Sequence, residues 1–344
     1  MIEALRKNPK IWEIYTREEE YSTNGLDQHD RFIYQKSKYH DVLNPIVSKF
    51  LLENGLKIEY PDGKKFAICL THDIDAVFPS NLSTIHCSFR SLSTGQYMTA
   101  FKNSLSVINK KWNAWLNFGD IMKLEDKYGA KSSFYFITSD RNIEEVNYNI
   151  EELEEELGTI VDNGWEIGLH GGYYTYNDLN SMIDEKRRLE KLIGKKTIGY
   201  RNHYLRFKVP NTWELLSKAG FKYDTTLGYA DYIGFRNGMC HPYIPFNLIT
   251  NKKIDLLEIP LAVMDCTLFE YMKCNIQQAQ EKMRLLIDIV EKYNGVLTIL
   301  WHNTYMLDDY MKLYENILKY SYDKNAWITN AYDIWENARE YGNY

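Results

Sequence analysis

From residue 65 onward, apolar runs of strand length alternate with stretches whose apolar residues recur at helical spacing. Phe66-Ala67-Ile68-Cys69-Leu70 and Ser133-Phe134-Tyr135-Phe136-Ile137 are almost unbroken, the mark of strands buried on both faces. Trp165–Leu169, Thr197–Tyr200, Phe221–Tyr223, Leu256–Val263 and Gly295–Trp301 continue the series. Helical patterns lie between them at 118–128, 150–163, 179–193, 210–219 and 275–293. Gly129, Gly164, Gly194, Gly220 and Gly295 fall near their ends, where a left-handed residue is wanted. Strands alternating with helices imply parallel pairing with helices outside. At least seven such units suit a closed or nearly closed barrel better than a small open sheet.

Residues 1–60 precede the first core strand and hold one good helix pattern. Asn44-Pro45 reads as an N-cap followed by proline at the first helical position, and Gly55 marks the stop. One helix in 60 residues makes a poor core, so this extension is expected to pack on the barrel domain, residues 61–344. The chain carries 41 Lys+Arg against 47 Asp+Glu, a net charge of −6. A mildly acidic surface argues against nucleic-acid partners, which demand a basic footprint. No run approaches the ~18 apolar residues of a membrane span. Charges interrupt the N-terminus, which has no signal-peptide apolar region, so a cytoplasmic location is expected. The cysteines, Cys69, Cys87, Cys240, Cys266 and Cys274, contain no CxxC pair and read as reduced thiols.

The polar residues collect at one end of the strands. The apolar runs lead into Thr71-His72-Asp73-Ile74-Asp75, His170-Gly171-Gly172, Arg201-Asn202-His203, Asp265 and His302-Asn303. In parallel αβ folds the chemistry sits at that end, so one polar site at the barrel mouth is expected. In an extended chain, residues i and i+2 point the same way, so Asp73 and Asp75 can share a pocket. Two close carboxylates repel unless a cation sits between them or one is protonated. A division of labour, one binding metal and one handling a proton, is economical. A solvated Asx turn would give the same pair.

This ordered set resembles the polysaccharide deacetylase family, the NodB-homology or carbohydrate esterase 4 group. Thr71–Asp75 resembles the first motif, Ser132–Phe136 the following strand and Glu166-Ile167-Gly168-Leu169-His170 the second motif. Gly199-Tyr200-Arg201 is similar to the third, and Leu297–His302 to the last. The resemblance implies a distorted (β/α)7 barrel of the NodB-homology type, here with an N-terminal helical extension. It implies metal-assisted removal of an acetyl group from nitrogen. Asp75 and His170 would bind a divalent metal, zinc by family habit, which lowers the pKa of its water. Asp73, held by Arg201, would be the base and His302 the acid. Asp265 would orient His302, with metal or substrate contact as a second role.

The sequence departs from the family where a second histidine is expected, since position 174 is tyrosine. A phenol with pKa ~10 is a weak ligand at neutral pH. His203 could substitute; the metal could be held loosely by Asp75, His170 and water; or it could have been lost. The third motif also departs, reading Arg201-Asn202-His203-Tyr204. His72 alternates away from the aspartates and suits packing or a supporting hydrogen bond. Arg206, Arg236 and His241, amid aromatics, could contact an acidic or phosphorylated glycan or merely bond loop to loop. Tyr174 joins Arg206 and Arg236 as a candidate substrate contact. Asp224 could shape the site or cap a turn. The long segment from Ala76 to Asn117, with a weak helix over 98–113, is a candidate lid or rim.

The expected activity is hydrolysis of the amide of an N-acetylated sugar or glycan precursor. The alternatives are a hydrolase of a small non-sugar amide and a catalytically silent glycan-binding protein. Tyr174 supports the last; Asp73, Arg201 and His302 together argue against it.

Overall fold

The computed structural model describes residues 2–22, 25–78, 114–140, 143–144 and 146–341. Most of the expected lid, its helix over 98–113, and His86 and Cys87 lie outside those residues. The barrel is built from β1 (Ala67–Ile74), β2 (Ser133–Ile137), β3 (Glu166–Gly171), β4 (Gly199–Asn202) and β5 (Tyr223–Asp224). A short antiparallel pair follows, β6 (Phe246–Asn247) with β7 (Lys252–Lys253). Then come β8 (Leu257–Glu258), β9 (Leu261–Met264), β10 (Val296–Leu300) and β11 (Trp327–Thr329).

The main sheet runs β8-β5-β4-β3-β2-β1-β10-β9, with β11 on β1, and every pair in it is parallel. Its two ends, β8 and β9, are consecutive in the chain and separated by Ile259-Pro260. The expected single strand Leu256–Val263 is therefore two pieces, because proline has no N–H for a ladder. Helices Phe118–Asp126, Glu154–Asp162, Leu179–Ile193, Asn211–Lys218 and Ile276–Lys292 fill the crossovers. This is the expected parallel (β/α)7 architecture of NodB type.

Several strands extend further toward the mouth than their apolar residues suggest. β1 continues through Thr71-His72-Asp73-Ile74 because β2 pairs with it there, Thr71 opposite Ser133 and Ile74 opposite Phe136. Its first half is bonded to β11 instead, Ala67 opposite Trp327. On its other edge β10 pairs from Ala67 to Thr71. β11 and helices Asp308–Asp323 and Ala331–Tyr341 were not anticipated by the sequence pattern.

Gly295 differs from its expected role. Asn294 carries the positive φ, +51°, that ends helix Ile276–Lys292. A Cβ at Gly295 would lie 2.5 Å from the Cys240 carbonyl oxygen, so glycine is needed for close approach. Near the N-terminus, helix Ile46–Glu53 starts after Pro45. Asn44 donates to Asp41 at 3.1 Å rather than capping it.

The N-terminal segment lies against the barrel loops through buried polar contacts. Arg17 donates to Glu20 at 2.6 Å and to the carbonyl of Arg236 at 2.6 Å. Arg236 in turn pairs with both carboxylate oxygens of Glu20 through Nε and Nη2, one edge of its guanidinium. Val47 N–H reaches the Gly238 carbonyl at 3.0 Å. Among the described residues, no helix is long and apolar enough to cross a membrane.

Candidate metal and proton-transfer site

β1 sets Asp73 and Asp75 on one side. Asp73 is buried within the strand, opposite Tyr135, and Asp75 lies one residue past the last paired position. β3 brings His170 alongside. Its Nε2 is 3.1 Å from Asp75 Oδ1 and 3.5 Å from Asp73 Oδ2. The other ring nitrogen, Nδ1, donates to the Arg201 carbonyl at 3.0 Å, fixing the ring with Nε2 toward the carboxylates.

After β4 the chain turns sharply, with Tyr204 and Leu205 at φ +61° and +52°. Such backbone costs about 1–3 kcal/mol per residue and has to be held in place by its surroundings. The turn presents His203, whose Nε2 is 3.7 Å from Asp75 Oδ1. One ligand atom each from Asp75, His170 and His203 lie within 4.8 Å of one another. Asp75 Oδ1 and both ring nitrogens of His203 are buried without a hydrogen-bond partner. Buried polar atoms are ordinarily paired. This trio therefore fits a divalent cation, with two imidazoles and one carboxylate suiting zinc-like ions. Burial drives the His203 pKa down to about 3, keeping the ring neutral as a ligand must be. Burial pushes the Asp75 carboxyl up, but His203, His170 and His302 outweigh it and hold the carboxyl below its ordinary value.

Two further groups flank the trio. Arg201 is fully buried, with Nη1 3.6 Å from Asp73 Oδ1 and Nη2 donating to Thr225 at 3.0 Å. Its guanidinium lies 5.2 Å over the Tyr135 ring. That ring occupies the space a Cβ at Gly168 would take, 2.3 Å away, which explains the glycine in Glu166-Ile167-Gly168-Leu169-His170. On the other side β10 delivers His302. Its Nδ1 donates to Asp265 Oδ1 at 2.7 Å and its backbone N–H to Asp265 Oδ2 at 2.6 Å. Its Nε2 is 3.4 Å from Asp75 Oδ2. Burial lowers the His302 pKa, but Asp265 beside it more than offsets this and holds the ring well above its ordinary value.

These residues open on a cavity of about 750 Å³. Asp73, Asp75, His170, His203 and His302 line it, and Arg201 and Asp265 stand behind. The structure thus brings together all the expected catalytic and metal-binding candidates. The expected substrate contacts fare differently. Tyr174 is 64% exposed and does not line the cavity. Arg206 is buried elsewhere, donating to the carbonyls of Tyr173 and His29 at 2.6 and 2.9 Å and to Asp30. Arg236 has its donors taken by Glu20 and, at 2.8 Å, the Gly228 carbonyl. Both arginines bond loop to loop, and the expectation that they meet substrate is corrected. His72 points away from the cavity, as alternation requires. Asp224 is buried, accepting from Thr226 Oγ1 at 2.6 Å.

Sequence reasoning did not single out Arg31, Trp115, Asn147, Cys266, Glu270, Tyr271 and Tyr305 as site residues, yet all line the cavity. Glu270 and Tyr271 belong to a π-helical turn, Thr267–Tyr271, and such turns favour functional sites. No apolar periodicity marks that turn in advance.

No family model matches the chain. It is 30% identical over 123 residues to a peptidoglycan deacetylase-like protein of Gibberella zeae, covering 33% of each chain. It is 28% identical over 160 residues to a peptidoglycan deacetylase of Helicobacter pylori, covering 41% of this chain and 50% of the other. The matches thus span a third to a half of those curated relatives. A crystal structure from Mycobacterium smegmatis, provisionally described as a polysaccharide deacetylase, superposes with a TM-score of 0.57. Its sequence identity is 18%, over 82% of this chain and 93% of that one, so it shares the fold.

Proposed function

We propose that the chain is a metal-dependent hydrolase of the polysaccharide deacetylase kind that removes an acetyl group from an N-acetylated sugar or glycan precursor, a reading these likenesses support. The observation that carries the reading is the placement of a carboxylate with its arginine, and an imidazole with its carboxylate, around the Asp75–His170–His203 trio.

Zinc is the proposed ion; a divalent metal held by that trio supplies Lewis acidity toward water and toward the acyl oxygen. Asp73 takes a proton from the attacking water. Its Oδ1 has no hydrogen-bond partner, so it has acceptor capacity to spare. Arg201, fixed by Thr225 and the Tyr135 ring, balances the charge of Asp73 and sets its position. His302 gives its proton from Nε2 to the departing nitrogen, since an amine is a poor leaving group unprotonated. Asp265 fixes the His302 tautomer and favours its charged form. A silent binding protein has no use for this pair of proton-transfer groups, which weighs against that alternative.

The test loads the full chain with zinc and screens N-acetylated sugars and nucleotide sugars for acetate. Release that a chelator abolishes and zinc restores is expected. A fully metal-loaded protein that frees no acetate from any of them would sink the proposal.

A further inference from the structure

Among the described residues lining the cavity, Arg31 is the one arginine or lysine. The other charged or titratable groups there include Asp73, Asp75, Glu270 and the imidazoles of His170, His203 and His302. Arg31 comes from the N-terminal segment, outside every motif of the family resemblance. Its side chain is only 7% exposed. Asp27 holds one edge of the guanidinium, with Nε and Nη2 at 2.8 and 2.7 Å from Oδ2. Nη2 also donates to the Tyr271 hydroxyl at 3.0 Å, while Nη1 makes a long 3.4 Å contact with the Tyr204 carbonyl. The rings of Tyr271 and Tyr204, both cavity-lining, lie 5.6 and 5.9 Å from the guanidinium centre. Glu270, beside Tyr271 in the chain, accepts from the Tyr305 hydroxyl at 2.6 Å.

Desolvating a guanidinium is costly, and one ion pair seldom repays it. A cation so held on a cavity wall has already met its ordering cost; with Nε and Nη2 taken by Asp27 and Tyr271, Nη1 is the nitrogen left to receive an anionic oxygen. We propose that Arg31 is a specificity-determining residue that receives an anionic substituent, carboxylate or phosphate, on the N-acetylated substrate. Acidic sugars are then favoured over neutral ones. This rests on the deacetylase reading and names its substrate class. It also makes the N-terminal segment part of the active site, with Arg31 in the role that Arg206 and Arg236 cannot fill.

The experiment uses the zinc-loaded full chain and three probes: N-acetylglucosamine, its 1-phosphate and its uronic acid. The wild type is expected to show a higher kcat/KM for at least one acid than for the neutral sugar, and the two acids separate phosphate from carboxylate. Arg31→Gln is expected to lower the acid-to-neutral ratio roughly 10- to 100-fold, mainly through KM. Arg31→Lys, which keeps a positive charge beside Asp27 without the Nη1 donor, should recover part of it. If Arg31→Gln does not fold, Arg31→Lys alone is expected to lower the ratio, and an unchanged ratio overturns the proposal. So does a wild type without preference, or an equal loss on all three probes. If no probe yields acetate, the deacetylase reading fails by itself. Calorimetric binding of the same probes then decides Arg31, and equal affinity for acids and neutral sugar overturns it.

Discussion

The two faces of β1 carry neighbouring polar residues with opposite fates. On one face His72 is fully buried, with Nδ1 2.5 Å from the Trp301 carbonyl and Nε2 2.8 Å from Glu125. Glu125 also accepts from Ser132, Trp165 and Tyr314, at 2.8, 2.7 and 2.9 Å. On the other face Asp73 Oδ1, Asp75 Oδ1, Arg201 Nη1 and both nitrogens of His203 lack partners. A satisfied buried network stabilises and specifies the fold. An under-satisfied one sacrifices stability and persists where something must bind or react. Both faces carry carboxylates and imidazoles taken largely out of water; the completeness of hydrogen bonding separates them.

The sharpest way to break this contrast is to change one residue on each face. Asp73→Asn is expected to cut acetate release roughly 10²–10⁴-fold, with its thermal unfolding close to wild type. Glu125→Ala should do the reverse. It strands His72, Ser132, Trp165 and Tyr314 and should cost about 3–5 kcal/mol in denaturant unfolding. An Asp73 variant that unfolds, or a Glu125 variant as stable as wild type, would erase the distinction. Next in size, His203→Ala should weaken zinc binding at least about 100-fold, read by metal analysis after dialysis. Unchanged stoichiometry would remove His203 from the ligand set.

A smaller effect concerns pH. His241 is buried, with Nδ1 2.9 Å from the Ser48 hydroxyl and Nε2 3.1 Å from the Asn294 carbonyl. Burial lowers its pKa to about 4 from an ordinary 6.5. Between those values the unfolded chain binds a proton that the folded one refuses, so stability falls as pH falls. The contribution is about 1.4 kcal/mol per pH unit. His241→Gln should flatten the wild-type stability profile by that slope between about pH 6.5 and 4. An identical slope in the variant would show that His241 does not titrate this way. Smallest of all, Tyr174→Ala should leave acetate release and stability nearly unchanged, since that ring is exposed and off the cavity. A large loss of activity would return Tyr174 to the site.

Much of this was legible because parallel strands deliver their last residues to one place. Asp73, Asp75, His170, Arg201, Asp265 and His302 each stand within or just beyond an apolar run. The gap left by Tyr174 pointed to His203. Strand ends were harder: hydrophobicity stops at the first polar residue, whereas the ladder carries on through Asp73 and Asn202. Arg206 and Arg236 were over-read, because an arginine among aromatics looks the same in sequence whether its donors meet a ligand or a carbonyl. Arg31 and the turn Thr267–Tyr271 were illegible, since neither has periodicity and Arg31 reaches the cavity only through tertiary packing.

The register of β1 assigns different supports to its two carboxylates. Asp73 sits between rungs shared with β2, so its backbone cannot swing without opening the sheet. Asp75 stands one step beyond the final rung, where side chains take over from the ladder: the Ile74 carbonyl accepts from the Tyr148 hydroxyl at 2.6 Å and the Ala76 carbonyl from Asn303 at 2.9 Å. A site made this way anchors its proton acceptor in the sheet and its cation-facing oxygen on two side chains from other parts of the chain, so a change at Tyr148 or Asn303 would reach the metal ligand before it reached the base.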